Sequence, residues 1–164
     1  MSPSPAPSVR AFTPADHAAW LGLRQALWLG SDATTRAAET GALLSEPRRF
    51  GALRYAVLLA TDDARPVGFV EVSLRDDLPE FAGRAVGYVE GVYVAPAHRH
   101  RGLGRALIDA AAGWTQAQGA AELAADILPD NPESLDFHRR VGFRVVGESA
   151  SGGRRQILLV RSAS

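Results

Sequence analysis

The stretch Arg99-His100-Arg101-Gly102-Leu103-Gly104-Arg105 constrains this chain most, because it stands between a strand pattern and a helix pattern. Val86 to Val94 reads as a strand ending at Ala95-Pro96. Gly102 to about Gln118 then places Leu107, Ala110, Ala111 and Trp114 on one helical face, and Gly119 closes the helix. Amides at such a junction are helix-start donors without partners, and they bind anions. Gly102 and Gly104 let the backbone approach a phosphate, while Arg99, Arg101 and Arg105 add cationic donors. A diphosphate would suit this loop; a basic surface loop with glycines for helix entry is the plainer alternative. A Walker A loop would need Gly-Lys-Ser/Thr, and a dinucleotide fingerprint would need a third glycine where Leu107 stands, so neither fits.

The rest of the chain reads as one α+β unit. Its 164 residues are 46% hydrophobic, enough for a single core. Residues 1–10, rich in proline and serine at the start, are expected to form a flexible tail, with a single domain over 11–164. Thr13-Pro14-Ala15-Asp16 supplies a helix start for Trp20, Leu23 and Leu27, and a second helix is expected from Ala33 to Leu44 after Ser31 and Asp32. Tyr55–Ala60 and Val67–Arg75 form a hairpin across Asp62 to Pro66, and Asp76 to Arg84 is a charged loop. Within the strand Val86–Val94, Glu90-Gly91 signals a bulge or a close approach beside a wet cleft. A strand over Ala121–Ile127, a helix from Asn131-Pro132-Glu133 to Arg140, and two last strands around a Gly152-Gly153 turn complete the order ααβββαβαββ.

Several classes of chemistry are excluded or disfavoured. With no cysteine there is no disulfide framework, zinc-thiolate site or thiol nucleophile. His17, His98, His100 and His138 lack metal-cluster spacing. Eighteen basic residues balance eighteen acidic ones, which argues against a nucleic-acid or membrane partner held by overall field. The apolar runs are too short to span a bilayer and no leader pattern is visible, so a cytoplasmic location is expected.

Arg99-x-x-Gly102-x-Gly104, followed by Asn131-x-x-Ser134-x-x-Phe137-His138-x-x-x-Gly142-Phe143, resembles the signature of the GNAT superfamily of N-acetyltransferases. The resemblance implies a mixed, mostly antiparallel central sheet flanked by helices, acetyl-CoA as donor, no metal, and direct transfer to an amine. It assigns Arg99, His100, Arg101, Gly102, Leu103, Gly104 and Arg105 to the pyrophosphate, Val92, Tyr93 and Val94 to pantetheine, and places Asn131 with the donor site. A closer resemblance is to aminoglycoside 6'-N-acetyltransferases. It runs through Leu23-Arg24-x-x-Leu27-Trp28, Glu71-x-Ser73-x-Arg75, Glu90-Gly91-x-Tyr93-Val94 and Ala125-Asp126, and departs from the subgroup after Gly147. It implies an aminoglycoside acceptor, a resistance role and a homodimer.

An aminoglycoside is a polycation, and Trp28, Glu71, Asp76, Glu90 and Asp126 are the expected lining of its site. Asp76 also fits a solvated loop, and Glu71 could turn to solvent by strand alternation. Glu90 and Asp126 each interrupt an apolar strand, so they are the expected catalytic carboxylates. Glu90 is the first choice as base and Asp126 as holder of the ammonium, with exchange of the two roles left open. His138 stands where many GNAT enzymes have a tyrosine, which makes it a candidate proton donor to the departing thiolate, or simply a packed histidine. The competing functions are acetylation of another small amine or polyamine, and a non-catalytic acyl-CoA-binding regulatory module.

Overall fold

The computed structural model describes residues 6–29, 33–151 and 153–164. Seven strands form one sheet in the order β1-β2-β3-β4-β5-β7-β6. They are β1 (Ser8–Ala11), β2 (Arg54–Asp62), β3 (Arg65–Arg75), β4 (Val86–Val94), β5 (Glu122–Ile127), β6 (Arg144–Ser151) and β7 (Arg154–Ser162). The helices are α1 (His17–Leu27), α2 (Ala33–Ser45), α3 (Leu103–Ala117) and α4 (Pro132–Arg140). The described pairings are antiparallel except that of β4 with β5.

Strand alternation divides the core between the two faces of this sheet. Val70 and Val72 of β3 meet Leu107, Ile108 and Ala111 of α3, together with Leu123, Ala125 and Leu159. Phe69 points to the opposite face, where it joins Leu59, Val57 and Trp20 of α1. The buried face of α3 is rotated slightly from the expected one: Leu103, Leu107, Ile108, Ala111, Ala112 and Thr115 are inside, whereas Ala110 and Trp114 are half-buried.

One strand lies where a tail was expected. Ser8–Ala11 pairs with Leu58 to Thr61 of β2, and Arg10 clamps Asp16 with two guanidinium bonds of 2.8 Å each. Prolines at positions 3, 5 and 7 disguised a strand that borrows its order from a neighbour; residues 1–5 lie outside the described part. Ser31, Asp32 and Gly152, used in reading the second helix and the last hairpin, also lie outside it.

Candidate active site

The site grows from two irregularities in β4. Across β3 and β4, Glu71 faces Gly91 while Val72 faces Val89, which leaves Glu90 as the extra residue of a bulge. Beside β5, pairing covers only Gly87–Val89, so the far edge of residues 91–94 has no strand neighbour. Between that edge, the loop before α3 and helix α4 lies a cleft of about 1070 Å³.

Val92, Tyr93, Val94, Arg99, His100, Gly102, Leu103, Gly104 and Arg105 all line the cleft. The loop turns through left-handed backbone at His100 (φ 62°) and Gly102 (φ 83°). Its first helical bond runs from the Ala106 amide to the Gly102 carbonyl (3.0 Å), so the amides of Leu103, Gly104 and Arg105 have no intrahelical acceptor. These observations fit a CoA donor: free helix-start amides for its pyrophosphate, and for its amide-bearing arm a strand edge that no strand covers, with Arg99 Nε on the Val94 carbonyl at 2.8 Å. Phe137, Arg139 and Arg140 of α4 complete the wall, although the sequence motifs had not marked the two arginines.

Two expected donor-site residues are engaged elsewhere. Arg101 reaches the hairpin turn and donates to Asp62 at 2.9 Å, next to His98. Asn131 caps α4, its side-chain oxygen accepting from the Ser134 amide at 3.1 Å. Neither lines the cleft.

On the α1 side of the sheet, Glu71, Ser73 and Arg75 follow one another along β3 at a spacing of two. Ser73 donates to Oε1 of Glu90 at 2.6 Å, and the Arg75 guanidinium holds the same oxygen at 2.6–2.7 Å. Glu90 is therefore a fixed anion whose other oxygen, Oε2, accepts no hydrogen bond from the chain among the described residues. Asp126, half-buried on β5, receives no hydrogen bond among the described residues either. Burial pushes its carboxyl above the ordinary value, and the positive charge of Arg75 opposes that shift.

Glu71, expected in the acceptor lining or turned to solvent, is in neither place. It is fully buried, takes Trp20 Nε1 at 3.0 Å and Arg24 Nε at 2.6 Å, and accepts the Tyr55 hydroxyl. Alternation turned it not to solvent but beneath α1, where a carboxylate persists only with such partners. Trp28, also expected at the acceptor, is half-buried, and its ring lies 2.7 Å from where a Cβ on Gly91 would stand. Asp76 is exposed on the loop after β3.

His138, weighed as a proton donor or as a packed histidine, lies in the interior. The residue is 5% exposed, its ring packed between Phe137 and Phe143, with Nδ1 at 2.7 Å from the Ser134 carbonyl. Burial lowers its pKa, and it does not line the cleft. No group of three or more histidine and acidic side chains among the described residues is arranged to hold a metal. No described helix is long and apolar enough to cross a membrane.

A split sheet edge facing an anion-binding helix start, with carboxylates beyond the bulge, defines an acyl-CoA-type transferase site. Residues 19–143 match the model of the acetyltransferase (GNAT) family, and the chain belongs to that family of acetyl-CoA-dependent N-acetyltransferases. It is 39% identical over 140 residues to an aminoglycoside N(6')-acetyltransferase type 1 of Stenotrophomonas maltophilia, covering 84% of this chain and 86% of that one. It is 34% identical over 143 residues to the protein of the same name from Klebsiella aerogenes, covering 87% and 92%. Among solved structures it resembles AAC(6')-Iy bound to the bisubstrate analogue CoA-S-monomethyl-acetylneamine, with TM-score 0.76, 29% identity, and coverage of 85% and 92%.

Proposed function

We propose that this enzyme transfers the acetyl group of acetyl-CoA to the 6'-amine of aminoglycosides, directly and within a ternary complex. The observation that carries the reading is the pair Glu90 and Asp126 on the face opposite α3, together with relatives named for that reaction. A polycationic acceptor fits a site where one anion is fixed and another is unpartnered. In this reading Val92, Tyr93, Val94, Arg99, His100 and Gly102 to Arg105 hold the donor, and Arg101 braces their loop against Asp62. Trp28, Glu90 and Asp126 face the acceptor.

The amine arrives as an ammonium and must lose a proton before its lone pair can attack the thioester carbonyl. Asp126 suits the role of proton acceptor, because its raised carboxyl takes up a proton more readily than an ordinary aspartate does. Glu90, immobilised by Ser73 and Arg75, suits the role of holding an ammonium through Oε2. This exchanges the roles first expected from the sequence. The departing thiolate would take its proton from a group other than His138, whose ring is buried away from the cleft.

The test is CoA-thiol release over a panel of aminoglycosides, with the product located by NMR. Drugs bearing a 6'-amine should be acetylated there, and analogues with a 6'-hydroxyl should not react at that position. Transfer to another ring amine, or turnover of simple polyamines alone, would overturn the assignment. The same assay checks the expected single acetyltransferase domain, cytoplasmic enzyme and homodimer when it is run on cytosolic fractions separated by size.

A further inference from the structure

The buried carboxylate of Glu71 lies outside the donor cleft. Glu71 sits opposite Gly91 in the β3–β4 register, directly behind the bulge. It collects donors from two elements: Trp20 and Arg24 of α1 and Tyr55 of β2. Arg24 is 6% exposed, so its guanidinium is held in the interior by this carboxylate. The same guanidinium carbon lies 4.7 Å from the centre of the Trp28 ring, at the end of α1, and 5.5 Å from that of Trp20. The Trp28 ring in turn rests on Gly91, its Cζ2 and Cη2 atoms 2.7 and 2.8 Å from a hypothetical Cβ there. A buried charge is thus linked through one cation–π contact to the aromatic wall beside the bulge.

We infer that the Arg24–Glu71–Tyr55 cluster is a positioning device for the acceptor wall, setting Trp28 against Gly91 beside Glu90. The inference rests on the reading above that this side of β4 faces the acceptor. Glu71, Arg24 and Tyr55 act here through Trp28 and touch neither substrate. The donor cleft lies beyond the open edge of β4 and against α4; Leu27 reaches it, but Arg24, Glu71, Tyr55 and Trp28 do not line it, so donor binding should respond less to the cluster than acceptor binding does. An ordinary core ion pair would affect stability and would not separate the two substrates.

Removing Glu71 would leave Arg24 buried and uncompensated, and the variant could simply fail to fold. Two gentler variants isolate the effect: Tyr55→Phe deletes one hydrogen bond to Glu71, and Gly91→Ala, which stands on the donor edge and so serves for the fluorine readout alone, adds a methyl group where the Trp28 ring now lies. Full-length protein labelled with 5-fluorotryptophan gives one resonance for each of its three tryptophans. In both variants the Trp28 resonance should shift while that of Trp114 stays. In Tyr55→Phe the KM for kanamycin should rise by roughly tenfold with the KM for acetyl-CoA within about twofold of wild type. Trp28→Phe should reproduce the same split. An unmoved Trp28 resonance overturns the coupling, and equal rises in both KM values, or none, overturn the positioning role. A wild type inert toward every aminoglycoside overturns the acceptor reading, and is told apart because the fluorine spectra still report whether Trp28 follows Tyr55.

Discussion

Asp126 interrupts the apolar strand Leu123-Ala124-Ala125-Asp126-Ile127, and burial there makes its proton harder to lose. As proton acceptor it must be ionised, so kcat/KM should fall as pH drops through that raised value. Asp126→Asn should lower kcat by about 10²- to 10⁴-fold and flatten the acid limb. Glu90→Gln should chiefly raise the acceptor KM, because it weakens a held anion rather than the proton transfer. Steady-state kinetics across the acid and neutral range decides between them; a retained acid limb in Asp126→Asn would return the role of base to Glu90. Both carboxylates were legible in the sequence, since each breaks an apolar run. Their environments were not, because the Ser73 and Arg75 contacts depend on which face of β3 meets the bulge. Glu71 shows the same limit: its two-residue spacing from Ser73 gave its face, but only the packing of α1 decided that the face was covered at that point.

At the scale of elements, the loop before α3 and the first turn of α4 were legible because glycine and proline fix local backbone geometry. The strand Ser8–Ala11 was not, because its stability comes from β2 and from the Arg10–Asp16 clamp rather than from its own residues. Arg10 holds the Asp16 carboxyl far below the ordinary range, so the clamp's contribution is complete above that range and is lost as pH falls below it. Asp16→Asn at neutral pH should therefore speed hydrogen exchange at the amides of β1, which mass spectrometry would detect, while leaving β4 protected. Gly104 offers a second check. A Cβ there would stand 2.9 Å from the Phe137 ring, so Gly104→Val must push α3 away from α4 as well as crowd the loop amides. Calorimetric titration should show CoA affinity reduced by roughly tenfold or more; equal affinity in a folded variant would remove the loop from the donor site.

Over the whole molecule the formal charge is zero, with eighteen residues of each sign, so attraction for a polycation has to come from one face rather than from the net field. Salt should then raise the acceptor KM without changing which nitrogen is acetylated, since screening weakens attraction but leaves the pocket's geometry intact. Product analysis at low and high ionic strength checks both halves of that statement.

The parting of β4 from β5 after Val89 leaves backbone groups at residues 91–94 facing a cleft where another strand would otherwise lie. If the donor's arm fills that gap as proposed, the reagent is also a structural member of the enzyme, a removable eighth strand consumed and replaced at every turnover. Its binding free energy is then folding free energy, worth about 2.7 kcal/mol at a hundredfold excess over Kd. The melting temperature should climb with the logarithm of acetyl-CoA concentration. A cell's supply of acetyl-CoA would set how much of the enzyme survives as well as how fast it works.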